Sequence, residues 1–226
     1  MSTTEKFFKK KLVVVVAYRD REQHRALFIP WMEATLTRQK IPFAIKIIEQ
    51  ANNLPFNKGI LFNVGYLISQ NFDYYCFHDI DMLPIQADYS YSEDPIHLAV
   101  KVEQFGWKLP YETFFGGVTI YTKTTFEKIN GFSQRYWGWG GEDDEMYQRC
   151  LKASINIERR KGIYRSLSHD RPIDWTLYTK NLEHLFGFNE RANCEFALDG
   201  LKDMVFSIKE ERALSGFSEL IKVDFY

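Results

Sequence analysis

The chain has 226 residues with 45% hydrophobic content, enough for one sizeable core and short for two independent domains. Its 29 basic and 30 acidic residues nearly cancel, which argues against bulk nucleic-acid binding. Cys76, Cys150 and Cys194 are sparse and lack Cys-x-x-Cys spacing, which favours reduced thiols in a reducing compartment over a disulfide framework.

The opening "MSTTEKFFKKKLVVVVAY" has the outline of a signal peptide, basic residues before an apolar run. That run is only about seven residues long, is followed at once by "RDRE" and has no small-residue cleavage site. No stretch approaches the roughly 20 apolar residues of a membrane span. The expectation is a soluble protein of the cytoplasm, with "KFFKKK" making at most a peripheral contact with an anionic membrane face. "LVVVVAY" (12–18) is a continuous β-branched run, as in a strand buried on both faces. "REQHRALFIPWMEATLTRQ" (21–39) has helical spacing with Pro30 expected to kink it. "FAIKIIEQ" reads as the second strand, "NKGILFNVGYLISQ" (57–70) as the second helix and "YYCFHDIDML" (74–83) as a third strand running into charge. Strand, helix, strand, helix, strand predicts crossover units and a mainly parallel sheet, with ligands at the carboxyl ends of the strands.

From about residue 95 the texture changes. "HLAVKV" and "GGVTIYTK" read as strands, "KTTFEKIN" as a short helix and "EDDEMYQRCLKA" as a helix opened by acids. "IYRSLSHD" is another strand, "PIDWTLYTKNLEHLF" a helix, and "CEFALDG" and "MVFSIKEE" late strands. With no repeat and no linker seam, one α/β domain is expected over 1–226. Its nucleotide-binding half covers 1–94, and its donor-sugar and acceptor half 95–226.

Chemistry concentrates at two places. In "HDIDML", strand alternation puts Asp79 and Asp81 on one face and buries Ile80 between them. Two carboxylates at a strand end suit a hard divalent cation carrying a diphosphate, and His169 in "SLSHDRP" offers a nitrogen that favours Mn2+ over Mg2+. "YWGWGGEDDEMYQRC" (136–150) sets Glu142, Asp143, Asp144 and Glu145 side by side behind two Trp and three Gly. Acids favour the first turn of a helix, where the dipole is positive. Clustering them has no stability motive, because neighbouring carboxylates raise one another's pKa.

"FNVGY", "FHDID", "FGGVTIYTK", "INGF" and "YWGWGGEDDE" stand in the order, and near the spacing, of the β-1,4-galactosyltransferase family. "VVVVAYRDREQH" resembles that family's first strand and uridine-binding turn, and the tail from "DGL" to "KVDF" its last strands. The chain resembles the catalytic domain without the anchor and stem of animal members. The resemblance implies a single-domain GT-A, Rossmann-like fold with a mixed, mostly parallel sheet. It also implies metal-dependent, inverting transfer of a sugar from a uridine diphosphate donor. Ala17, Tyr18, Arg19 and Arg21 would form the uridine turn, with Phe56, Asn57 and Lys58 at the base-contacting segment. Asp79, followed by Ile80, resembles the nucleotide-side carboxylate, and Asp81 and His169 resemble the Mn2+ ligands. Asp143 matches the general base. Glu142 and Asp144 would hold sugar hydroxyls, and Trp139 would present its ring to a sugar face. Gly138, Gly140 and Gly141 would let the loop close as a lid over the site, which Phe114 and Gly117 would help line on the donor side.

The departures are informative. A Met that many animal members carry three residues before the metal-binding His is Ser166 here, and a His that another branch carries two residues before is Leu167. Diphosphate oxygens and waters are then expected to complete the metal shell. The stretch between His169 and Asp199 is longer than in common members and lacks their N-acetyl pocket. The expected acceptor is therefore a saccharide or lipid-linked glycan other than N-acetylglucosamine, as in a bacterial-style enzyme of surface-glycan synthesis. Phe114 keeps the bulk of the family's Tyr beside the donor C2 substituent and drops its hydroxyl, favouring UDP-galactose over UDP-N-acetylgalactosamine. A metal-dependent phosphohydrolase would also use "HDID", and a catalytically inactive sugar-binding module would keep the aromatics.

Overall fold

The computed structural model describes residues 10–170, 173–190 and 199–226. The leader up to Lys9, Cys194 and most of the strand expected over 194–200 lie outside the described residues.

The apolar run 12–18 becomes β1 (Leu12–Tyr18), buried at every position. It pairs in parallel with β2 (Phe43–Gln50) on one side and β3 (Tyr74–His78) on the other. Successive side chains leave β1 on opposite faces. Leu12, Val14 and Val16 meet Phe28, Met32 and Leu36 of α1 (Glu22–Arg38), while Val13, Val15 and Ala17 meet Ile60, Leu61 and Val64 of α2 (Lys58–Leu67). Helix α1 continues through Pro30 as one element. Helix α2 is buried from Gly59 to Tyr66, and it lies so close on the sheet that a Cβ at Gly65 would come within 2.2 Å of Val15.

The main sheet has the order β10-β11-β2-β1-β3-β7-β5-β8. Here β5 is Ile96–His97, β7 Val118–Thr122, β8 Glu158–Arg159, β10 Phe206–Ala213 and β11 Ser218–Phe225. The pairings of β1 with β2 and β3, of β11 with β2 and of β5 with β8 are parallel; those of β7 with β3 and β5, and of β10 with β11, are antiparallel. A second sheet joins β4 (Met82–Gln86), β9 (Ile163–Ser166) and β6 (Lys101–Val102). The other helices are α3 (Lys123–Lys128), α4 (Glu142–Lys152) and α5 (Trp175–Glu190). No described helix is long and apolar enough to cross a membrane.

Two expected strands are each divided between the sheets. The run 74–83 ends as β3 at His78 and resumes as β4 at Met82, because a turn closed by Met82 N–H donating to the Asp79 carbonyl (3.3 Å) redirects the chain. "HLAVKV" is likewise split: His97, with Ile96 just before the run, pairs with β7, and Lys101 and Val102 pair with β9. Both breaks fall where the chain leaves the main sheet for the rim of the site.

Candidate active site

Asp79 and Asp81 lie in the β3–β4 turn, and this corrects the strand-alternation reading: they do not share a strand face. Ile80 between them is buried as expected, at 8% exposure. The turn lets the carboxylates serve different partners. Asp79 reaches Lys58 Nζ at 3.5 Å, and Asp81 Oδ2 lies 3.0 Å from His169 Nε2.

Lys58 is the hub of the site. Asn57 caps α2: its side chain accepts from Ile60 N–H at 2.9 Å and donates to the Gln134 carbonyl at 2.8 Å. That fixes Lys58 in the first turn, where its ammonium meets Glu142 at 2.8 Å and Asp143 at 3.1 Å as well as Asp79. Burial pulls the Lys58 pKa down, but the charges of Asp143, Asp79 and Glu142 more than reverse this and leave it well above the ordinary lysine value. One cation thus holds together three carboxylates from two distant segments.

The acidic run divides its labour along α4. Glu142 and Asp143 turn to Lys58, and Asp144 accepts from the Tyr111 hydroxyl at 2.8 Å. Glu145 belongs to the core: it accepts from the Tyr136 hydroxyl at 2.6 Å and pairs with buried Arg149 at 2.7 Å. Burial lifts the Asp143 carboxyl most, Lys58 opposes the rise, Glu142 and Asp79 add to it, and the result is about 8. A carboxylate raised so far is poised to take a proton near neutral pH, as general bases require.

The residues present fit a divalent cation at Asp81 and His169. Two cis ligands of an octahedral ion at roughly 2.1 Å stand about 3.0 Å apart, which is the separation of the carboxylate oxygen and the imidazole nitrogen here. The His169 Nδ1 contacts the Asp170 carbonyl at 3.0 Å, the kind of support that orients the ring so that Nε2 points toward Asp81. Ser166 Oγ accepts from Gln104 N–H, and Leu167 packs against the core. Among the described residues no group of three His, Cys, Asp or Glu side chains could hold a metal ion.

On the opposite wall, Gly116 lies between Asp143 and Phe114: a Cβ there would stand 2.5 Å from Asp143 Oδ2 and 2.9 Å from the Phe114 ring. Gly117, with φ +85°, abuts the Met82 side chain. Trp139 is 43% exposed and stacks on Tyr178 of α5 with ring centroids 5.2 Å apart. Asn181 of α5 donates to the carbonyls of Trp137 and Trp139, so the glycine-rich loop is docked on that helix. Gly141, with φ +95°, makes the left-handed entry into α4 that a residue with a side chain resists.

The expected nucleotide residues surround the carboxyl ends of β1 and β2. The Arg19 guanidinium donates to the Leu54 carbonyl at 2.7 Å and sits 5.5 Å over the Phe56 ring. Arg21 donates to the Asp170 carbonyl at 3.3 Å, beside His169. Four members of the expected set present little or no surface: Ala17 and Ile80 are each 8% exposed, Tyr18 1% and Asn57 0%. Their side chains shape the turn and cap the helix. The bridging role of Lys58, and the places of Tyr111 and Gly116, were not read from the sequence. Their partners lie far along the chain, and only the fold brings them together.

Residues 4–93 match the N-terminal region of glycosyl transferase group 7, and residues 96–170 match the N-terminal domain of galactosyltransferase. Beta-1,4-galactosyltransferase 5 of Danio rerio is 39% identical over 168 residues, covering 70% of this chain and 44% of that protein. Beta-1,4-galactosyltransferase 6 of Homo sapiens shows the same 39% over 168 residues, with the same 70% and 44% coverage. The chain thus spans under half the length of the curated relatives it matches. The catalytic domain of Drosophila β1,4-galactosyltransferase 7 in complex with xylobiose superposes with a TM-score of 0.81 at 26% identity, covering 96% of this chain and 94% of that one. A mutant of the Drosophila enzyme in complex with manganese, UDP-Gal and xylobiose gives 0.79 at 25% identity, with the same coverage. The fold is that of the GT-A galactosyltransferases, and with the motif order of the sequence it places the chain in the β-1,4-galactosyltransferase family.

Proposed function

We propose that the chain is an inverting glycosyltransferase that moves galactose from UDP-galactose to an acceptor sugar hydroxyl, forming a β linkage. The observation that carries this reading is the placement of the Asp143 carboxylate, 3.1 Å from Lys58 Nζ and facing the Phe114–Gly117 wall across the space of one missing methyl, where burial raises its pKa. Asp143 takes the proton of the acceptor hydroxyl. The hydroxyl oxygen forms a bond to the sugar C1 from the face opposite the diphosphate, the bond from C1 to the phosphate oxygen breaks, and UDP departs. Glu142 and Asp144 hold sugar hydroxyls, and Trp139 offers its ring face to the acceptor. The docked glycine-rich loop excludes water that would hydrolyse the donor. Asp81 and His169 hold Mn2+, which, when bound, offsets charge on the leaving diphosphate. Product formation from UDP-galactose, Mn2+ and a saccharide acceptor array tests the reading. Phosphate release without acceptor would mark a phosphohydrolase, and sugar binding without turnover an inactive module.

Three results are expected. Donor kcat/KM should climb close to tenfold per pH unit below about pH 7 and level off above about pH 8, because Asp143 must be ionised in the free enzyme. A flat profile from pH 6 to 8 would remove Asp143 as the base. Asp81→Ala should weaken Mn2+ and UDP binding together, and His169→Ala likewise but less, because water can replace a single nitrogen ligand. UDP affinity indifferent to Mn2+ in calorimetry would contradict this. Phe114→Leu should shift preference toward UDP-N-acetylgalactosamine from a wild-type galactose preference of roughly tenfold, since methylene-scale pocket changes are worth about 1–3 kcal/mol. Competing the two donors in one assay measures the ratio.

A further inference from the structure

We propose that Arg159, acting with His97, is a positioning residue that sets the width of the donor-sugar pocket. The inference rests on the galactosyl-transfer reading above and goes beyond it, because neither residue lies in a sequence motif of the site. The two stand opposite one another in the parallel pairing of β5 with β8. From there Arg159 forks its guanidinium onto the loop that carries the sugar-side wall. Nη2 donates to the Glu112 carbonyl at 2.8 Å, and Nη1 donates to the Phe114 carbonyl. The same Nη1 donates to His97 Nδ1, and His97 Nε2 bonds the Gly116 carbonyl at 2.9 Å. A carbonyl only accepts, so the imidazole hydrogen is on Nε2, and Nδ1 is the lone pair facing the guanidinium. Burial supports this, holding His97 neutral. Carbonyls 112, 114 and 116, every second one along the wall, are therefore held by one Arg–His unit.

That unit also touches the helix of the base. The guanidinium carbon lies 6.0 Å from the Tyr147 ring centroid, on α4 one turn beyond Asp143. The ring of Phe114 meets His97 edge-on at 5.6 Å. Arg159 thus ties the Phe114 wall to β5, β8 and α4 at once. The gap it governs is narrow, because the position of a Gly116 Cβ is 2.5 Å from Asp143 Oδ2 and 2.9 Å from Phe114. A wall displaced by a fraction of an ångström changes which C2 substituent fits and how the sugar meets the carboxylate. A lysine cannot replace this, because a point charge on a flexible stem does not span two carbonyls and an imidazole.

The test uses Arg159→Lys, His97→Leu, His97→Gln and Phe114→Leu, each assayed with UDP-galactose and UDP-N-acetylgalactosamine in competition. UDP affinity in Mn2+ is measured by calorimetry. Arg159→Lys should lower kcat about tenfold and narrow the galactose preference at least about fivefold, with UDP affinity within about twofold of wild type. His97→Leu should do the same, while His97→Gln, which keeps an N–H near the Nε2 position, should retain most of both. Adding guanidinium ion to Arg159→Ala should restore part of the lost preference. An Arg159→Lys enzyme with lower kcat but the wild-type donor ratio, alongside a shifted ratio in Phe114→Leu, would overturn the proposal alone. An unchanged ratio in Phe114→Leu would instead overturn the donor reading beneath it. If Arg159→Lys loses UDP affinity through misfolding, the His97 pair decides: equal behaviour of Leu and Gln overturns the proposal.

Discussion

Replacing Asp143 with Asn should abolish transfer and at the same time raise the thermal stability of the protein at pH 8. The first effect follows from the proposed role of Asp143 as base, since loss of a general base typically costs 10²–10⁴-fold. UDP and Mn2+ should still bind, since Asp81 and His169 are untouched. The second effect follows from linkage. The folded-state pKa of Asp143 is raised to about 8, so the native state holds this proton more tightly than the unfolded chain does. Stability from this group is therefore present at low pH and is lost as pH rises toward 8, the reverse of a salt-bridged aspartate. Asparagine removes that cost while keeping the shape. A gain in melting temperature is expected at pH 8 and should vanish near pH 4. A mutant less stable than wild type at pH 8, or one retaining over about a tenth of its turnover, would refute the assignment.

Lys58→Met should be the most damaging single change in the site. It leaves Asp79, Glu142 and Asp143 facing one another without the cation that stands 3.5, 2.8 and 3.1 Å from them. Breaking a buried charge cluster by removing one partner costs about 3–5 kcal/mol. The cost depends on pH in a definite direction. Without Lys58 the Asp143 pKa rises further, so the carboxylates take up protons at low pH and relieve the repulsion. The loss should be largest at pH 8 and much smaller near pH 5, and denaturant melts at both values measure it. Turnover at pH 7 should fall as well, because Asp143 would stay protonated. Lys58→Arg, which keeps the charge, separates the electrostatic cost from the packing cost. Equal losses at both pH values would show that the ammonium acts by filling space.

Much of the scaffold was legible because its strongest signals are local. The β-branched run of β1 and the acidic opening of α4 need no distant partner to declare themselves. The turn between Asp79 and Asp81 was hidden because period-two alternation assumes an uninterrupted strand, whereas the chain changes sheets there. Ser166 and Leu167 were read as departures from the metal-ligand pattern, and the structure places their side chains on Gln104 and on the core. Glu145 stood in the same acidic run without a site role, and Arg149 four residues on already offered the helical pairing that makes it structural. The hub role of Lys58 was beyond reach, because its carboxylate partners come from the segments around residues 79 and 142, brought together only by the crossover of the sheet. The same holds for Arg159, whose partners are mostly main-chain carbonyls and leave no mark on the sequence around it.

The place of β11 in the sheet has a consequence for how the molecule is made. This strand follows every other described element in the chain, yet it lies inside the sheet, parallel to β2 from Ser218 beside Ile45 to Val223 beside Gln50. Roughly 170 residues separate the two strands, so during synthesis at 5–20 residues per second β2 waits on the order of ten to thirty seconds for its neighbour. Throughout that interval the free edge of β2 presents unpaired backbone groups beside Ile45, Ile47 and Ile48, an invitation to pair with another nascent chain. Ribosome-bound chains halted before residue 218 should accordingly bind holdase chaperones, and release of β11 should discharge them.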